Sequence, residues 1–197
     1  MAEESKFVET ALTTARRVLQ PPLSVRRGAA LLYEVTVDNT LTLTVDPKRP
    51  VRGDSAFQTD LCVFEGKSDD VVIPRVVLEF KTRITTHDVL TCSAKSRKHK
   101  HVYPYLRYGL VVSDDVVVLF VHNESLDFFI ALGNAKPMEL PELFSCLITA
   151  EVQASRTLER IAFGSFRPQL FRTEPQVDNF IKANQSESEV HDYYSRV

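Results

Sequence analysis

The sequence predicts an α/β protein with a mixed central β-sheet flanked by α-helices. Helical apolar spacing at the amino end gives way to strand-like runs, returns mid-chain, and returns again towards the carboxyl end. The run from Ile73 to Leu78 is nearly all apolar, which suits a central strand covered on both faces. Helix, strands, helix, strands, helix is an order that buries its apolar faces by layering helices on a sheet.

Each element has its own signal. Phe7, Val8, Ala11, Leu12, Ala15, Val18 and Leu19 recur at helical spacing until "QPP" stops the pattern, so an amphipathic helix opens the chain. A second helix is expected from Val25 to about Glu34, dissolving into "VTVDNTLTLTV", where β-branched and polar residues alternate. After the loop "VDPKRPVRGDS" a strand places Phe57, Thr59, Leu61 and Val63 on one side and Gln58, Asp60 and Cys62 on the other. "EGKSDD" reads as a turn, and the next strand runs from Ile73 to Lys81. "TTHD" is a helix start, with Thr85 or Thr86 as N-cap and Asp88 at the positive end of the dipole, for a helix from about His87 to His101. "RYGLVVS", "DVVVLFVH" and "LDFFIAL" are strand-like, the last two as a hairpin or meander. "ELPELFSCLITAEVQASRTLERIAF" resumes helical spacing, and the chain ends in a polar segment from about residue 184. The reading is one domain over residues 1–197.

Bulk properties bound the function. The hydrophobic fraction is 44% and the charged fraction 25%, values of an ordinary globular protein. Lys and Arg number 24 against 26 Asp and Glu, a net charge of -2, so a polyanion binder would have to concentrate positive charge locally. Cys62, Cys92 and Cys146 are odd in number and form no CxxC pair, which indicates neither a disulfide framework nor a thiolate zinc site. The acidic amino terminus and the lack of a run of about 18 apolar residues point to a cytoplasmic protein without a membrane partner.

The stretch "RVVLEFKTRITTHDVL" poses the functional question, because burying an unpaired charge costs several kcal/mol. Glu79 and Lys81 project to one face of their strand, and Asp60 on the preceding strand is their expected antiparallel neighbour. Two carboxylates at the end of a sheet form a hard-oxygen environment suited to magnesium, with manganese as a substitute. Such an ion acidifies a bound water and neutralises charge on a phosphoryl oxygen, while the lysine orients or deprotonates that water.

These residues resemble the PD-(D/E)xK nuclease superfamily, which includes type II restriction endonucleases. "QTDLCVF" would supply the strand acid as Asp60, "LEFKT" the triplet as Glu79 and Lys81, and "HDVLTCSAKSRKHKH" with "RYGLVV" the helix and strand that follow. Thr59 stands where the family's proline would be. The resemblance covers roughly Val25 to Ser113. It implies a restriction-endonuclease-like core, a catalytic set of Asp60, Glu79 and Lys81, and metal ligation by Asp60 and Glu79 with Glu34 as a third acid.

"AKSRKHKHVYPYLRYG" contains Lys95, Arg97, Lys98, Lys100 and Arg107 and no acid, the local positive patch that a double-stranded DNA partner requires. Lys95 or Lys98 would reach the metal site. The first functional reading is therefore a magnesium-dependent DNA endonuclease, a restriction enzyme acting as a homodimer, since a double-strand cut at a symmetric target needs two sites. A structure-specific repair nuclease and a non-catalytic DNA-binding or assembly protein of the same fold are the alternatives. Plainer readings stay open at this stage: strand charges forming surface ion pairs of little weight, Glu34 as a surface acid, and the basic helix as a solvated face.

Overall fold

The computed structural model describes residues 2–53, 55–68, 71–113, 121–133 and 140–163. Residues up to Glu159 form one compact unit, and a second unit begins at Arg160. The polar segment from about 184 and most of "DVVVLFVH" lie outside the described residues.

In chain order the elements are α1 (Ala2–Val18), β1 (Leu23–Arg27), β2 (Ala30–Leu32), β3 (Ala56–Gln58), β4 (Leu61–Ser68), β5 (Val71–Lys81), α2 (Thr86–Val102), β6 (Arg107–Val112), β7 (Phe128–Ala131) and α3 (Leu140–Phe163). Five strands form a sheet in the order β1-β4-β5-β6-β7, and β2 with β3 forms a separate two-stranded ribbon. β4 runs antiparallel to both β1 and β5, whereas β5, β6 and β7 are parallel. The sheet is therefore mixed.

Alternation along the strands separates two cores. Leu61 and Val63 of β4 and Val76, Leu78 and Phe80 of β5 face α1, through Val8, Ala11, Leu12 and Ala15, and α3, through Phe144, Ile148 and Val152. Cys62, Phe64, Val77, Tyr108 and Leu110 face the other way, towards Val89 and Cys92 of α2. A strand covered on both faces reads as an unbroken apolar run, which is why β5 is so apolar before Glu79.

α2 begins where its capping signal lies. Thr85 and Asp88 form a reciprocal capping box, Asp88 Oδ2 accepting from the Thr85 N–H at 2.9 Å and Thr85 Oγ1 accepting from the Asp88 N–H at 3.3 Å. Its inward face is partly polar. Ser96 donates to the Ser125 carbonyl at 2.8 Å, and Ser93 Oγ accepts the Glu124 and Ser125 N–H groups at 2.9 Å each.

Three predicted elements differ. The helix expected from Val25 to about Glu34 is instead β1 and β2, because Gly28 adopts φ +67° and ends any continuous helix there. A Cβ at Gly28 would also lie 2.7 Å from Gln58 Nε2, a contact the Gln58 amide would have to swing away from, so the backbone angle is the stronger demand for glycine there. The strand expected from Phe57 to Val63 is two strands, with Thr59 and Asp60 at the crossing from ribbon to sheet. Both the N–H and the hydroxyl of Thr59 donate to the Ala29 carbonyl, at 2.9 and 3.0 Å, and hold that crossing. Finally, β4 runs through the expected turn as far as Ser68, because Glu65 is buried against Arg75.

Candidate active site at the end of β5

The register that pairs Leu61 with Leu78 brings Asp60 opposite Glu79 at the point where β4 begins. Asp60 Oδ2 accepts the Phe80 N–H at 2.9 Å, so the aspartate is fastened to the neighbouring strand rather than to its own. Glu79 is 4% exposed. Its Oε1 accepts from the Tyr108 hydroxyl on β6 at 2.7 Å, and its Oε2 lies 3.8 Å from Lys95 Nζ on α2. Burial pushes the Glu79 carboxyl up to about 7; Lys95 opposes this, the Asp60 charge adds to it, and the Tyr108 hydrogen bond and Lys81 pull it back. Burial likewise pushes the Tyr108 phenol well above its ordinary value, so it remains a donor.

Lys81 takes an unexpected partner. Strand alternation starts its side chain on the Glu79 face, yet Nζ donates to Glu4 Oε1 at 2.8 Å, in the first turn of α1. Lys81 is the last residue of β5, so its long stem carries the ammonium round the end of the sheet. Burial disfavours that ammonium, but the hydrogen bond and charge of Glu4, with Asp60 behind them, outweigh burial and hold Lys81 above the ordinary lysine range. An amine that stays protonated at neutral pH orients a water or stabilises negative charge; it does not take a proton.

Asp60, Glu79, Lys81 and Lys95 are thus gathered at one end of the sheet. Glu34 is not among them. It lies exposed in the chain after β2 rather than on a helix, and among the described residues no three acidic, histidine or cysteine side chains cluster as a metal site. The carboxylate pair still fits magnesium, which keeps several waters and is held by one or two carboxylates plus substrate phosphate. Asp60 and Glu79 would hold it, one oxygen of each having a fixed hydrogen-bond donor and Glu79 Oε2 lying 3.8 Å from Lys95 Nζ.

The five basic residues expected to bind DNA part company. Lys100 Nζ lies 2.8 Å from Asp127 and donates to the Ser125 carbonyl at 2.6 Å. Arg107 bonds Asp127 at 2.9 Å and Glu151 at 2.6 Å. Arg107 thus ties β6 to the residue before β7 and to α3, while Lys100 ties α2 to the same Asp127, so both cations are engaged within the fold. Arg97 is exposed, 3.9 Å from Glu124. Lys98 lies over the rings of Tyr33 and Phe57, 4.9 and 5.8 Å from their centroids.

Beside Asp60 and Lys95 opens a cleft of about 510 Å³, walled by Arg27, Arg52, Tyr33 and Phe57. The Tyr33 and Phe57 rings stack with centroids 4.1 Å apart and planes 22° apart. Arg27 is tied to Glu9 and Ser5 of α1 at 2.8 Å each, while exposed Arg52 bonds Gln58 Oε1 at 3.3 Å. The sequence places Arg27 and Tyr33 of this neighbourhood on a helix, Arg52 in a loop and Phe57 on a strand, although "PKRPVRG" already shows a basic cluster. Glu4 and Tyr108 had no local signal at all, since their roles depend on packing across 77 and 29 positions of chain.

No family model matches this sequence, and no curated protein matches it significantly. Among the described residues no helix is long and apolar enough to cross a membrane.

Proposed function

We propose that this protein is a magnesium-dependent DNA endonuclease on a restriction-endonuclease-like core. The observation that carries the reading is Asp60 set opposite Glu79 at the end of β5, with Lys95 3.8 Å from Glu79 and Lys81 close enough to act electrostatically on both acids, within the order hairpin, helix, parallel strand. A carboxylate pair with protonated lysines beside it is chemistry suited to a phosphodiester: acids to hold a hard cation, ammonium groups to orient water and offset charge on the phosphoryl oxygens. Asp60 and Glu79 are the proposed ligands of magnesium, with manganese able to replace it. Lys81 and Lys95 are the proposed charge-stabilising groups, and the products would be a 5′-phosphate and a 3′-hydroxyl.

The most specific form of this reading is a cytoplasmic type II restriction enzyme acting as a homodimer on double-stranded DNA. Plasmid digestion tests it. Discrete fragments with magnesium, lost in Asp60→Asn, Glu79→Gln and Lys81→Met, are the expected result. Nicking, or cutting of branched DNA alone, moves the assignment to a structure-specific repair nuclease. No cleavage with any divalent ion moves it to a non-catalytic DNA-binding or assembly protein.

A further inference from the structure

We infer that the cleft beside Asp60 seats an unpaired nucleotide of single-stranded DNA, with its base against the Tyr33–Phe57 pair and its phosphate towards Lys95 and Arg52. The inference rests on the phosphodiester-hydrolase reading and, within it, takes the structure-specific alternative over duplex restriction, because the substrate it names for that site is an unpaired strand. Its volume, about 510 Å³, lies within the roughly 300–1,000 Å³ of sites that enclose small ligands.

The lining is what an unpaired nucleotide needs. A base freed from a duplex offers its π-face to an aromatic side chain, whereas a base within a duplex is already covered by its neighbours. Tyr33 and Phe57 present such a platform in the cleft wall, half-buried and braced from behind by His99, whose ring meets Phe57 edge-on at 5.7 Å. Their position is set by the ribbon: Leu31 pairs with Phe57, and the Tyr33 N–H donates to the Ser55 carbonyl at 2.8 Å. The cations are graded. Arg27 is already bonded to α1, so it adds field rather than a new hydrogen bond, while exposed Arg52 and half-buried Lys95 can turn to a phosphate. Lys98 holds its ammonium over the same rings. Asp60 completes the wall, so a strand that threads the cleft passes the one acid of the pair that lines it.

The test is fluorescence anisotropy of the full chain with a labelled single-stranded oligodeoxynucleotide of mixed sequence in EDTA, against the same sequence as a blunt duplex. The single strand is expected to bind at least about tenfold more tightly. Tyr33→Leu and Phe57→Leu are each expected to weaken single-strand binding by roughly tenfold, the loss of one base–aromatic stack. Arg52→Ala, an exposed change that leaves packing alone, is expected to weaken it and flatten its salt dependence, while Arg17→Ala on the outer face of α1 leaves it unchanged. Equal or tighter duplex binding overturns the inference, as does wild-type binding by both Tyr33→Leu and Arg52→Ala. Because EDTA removes the metal, the two readings fail separately: expected binding without cleavage by any divalent ion sinks the hydrolase, and cleavage without single-strand preference sinks the cleft assignment.

Discussion

Tyr108 donates its phenolic hydrogen to Glu79 across the β5–β6 boundary at 2.7 Å, and both side chains are almost wholly shielded from water. A buried carboxylate without donors is costly to ionise, so Tyr108 sustains the charge that Glu79 needs to hold a cation. Burial still holds the Glu79 carboxyl at about 7, above its ordinary value of 4.5. The folded state therefore resists its ionisation, and this contribution to stability is full below 4.5 and is lost as pH rises towards 7. Tyr108→Phe is expected to cost about 1–3 kcal/mol of stability at pH 8, where Glu79 is charged. In a Glu79→Gln background the same change should cost much less, because no charge is left to support. Urea unfolding of the two single variants and the double variant measures the coupling; strict additivity would refute it.

Lys81 separates charge stabilisation from proton transfer. Its ammonium is held protonated by Glu4 and Asp60 against the pull of burial. Lys81→Met is expected to lower cleavage by about 10²–10³, the scale of one lost charge-stabilising donor. Lys81→Arg should retain far more activity than Lys81→Met, since guanidinium carries the charge and cannot accept a proton. Single-turnover cleavage rates decide this. Equal inactivity of both variants, with folding intact, would point to a free amine as base instead.

The parts of this geometry that were legible in the sequence are those set by neighbours in the chain. Alternation put Glu79 and Lys81 on one strand face, a hairpin put Asp60 beside them, and Thr85 with Asp88 announced α2. What failed was ambiguous locally. Val25, Ala29 and Leu32 fit a helical stripe as well as two short strands, and the positive φ of Gly28 goes with β1 pairing to β4 and β2 to β3, partners far along the chain. The fate of the basic residues was equally hidden, because Lys100 and Arg107 are neutralised by Asp127 and Glu151 on elements far along the chain. Lys81 looked available for the same reason, its partner Glu4 lying on α1.

Arg75 is a charge with a structural task. It is 1% exposed within β5 and bonds Glu65 at 2.7 Å and Glu159 at 2.5 Å, while Arg156 bonds Glu65 from α3 at 2.6 Å. Removing one member of a buried ionic network strands its partners, at a cost of about 3–5 kcal/mol. Arg75→Met is therefore expected to destabilise strongly in urea. Adding Glu65→Gln, which removes the excess negative charge left facing Arg156, should recover part of the loss. A double variant no more stable than Arg75→Met would show that volume at this position matters and charge does not.

His99 makes folding sensitive to acid. Its Nδ1 donates to the Leu32 carbonyl at 2.9 Å, while Nε2 is buried with no hydrogen-bond partner among the described residues. Burial pulls its pKa down to about 4 from an ordinary 6.5; the Leu32 carbonyl works against that shift, and Lys95 one turn earlier on α2 adds to it. Between those two values the unfolded chain binds a proton that the folded protein refuses, so stability falls as pH drops from 6.5 to 4. At 1.36 kcal/mol per unit this single group removes about 2–3 kcal/mol between pH 7 and pH 4.5. His99→Asn keeps a donor for Leu32 and abolishes the titration. It is expected to be less stable than wild type at pH 7, because the ring that stacks on Tyr108 is lost, yet to lose less on acidification. Urea midpoints at the two pH values measure the slope. An unchanged slope in His99→Asn would place the acid sensitivity instead in Glu65, whose carboxyl Arg156 and Arg75 hold below its ordinary value against burial.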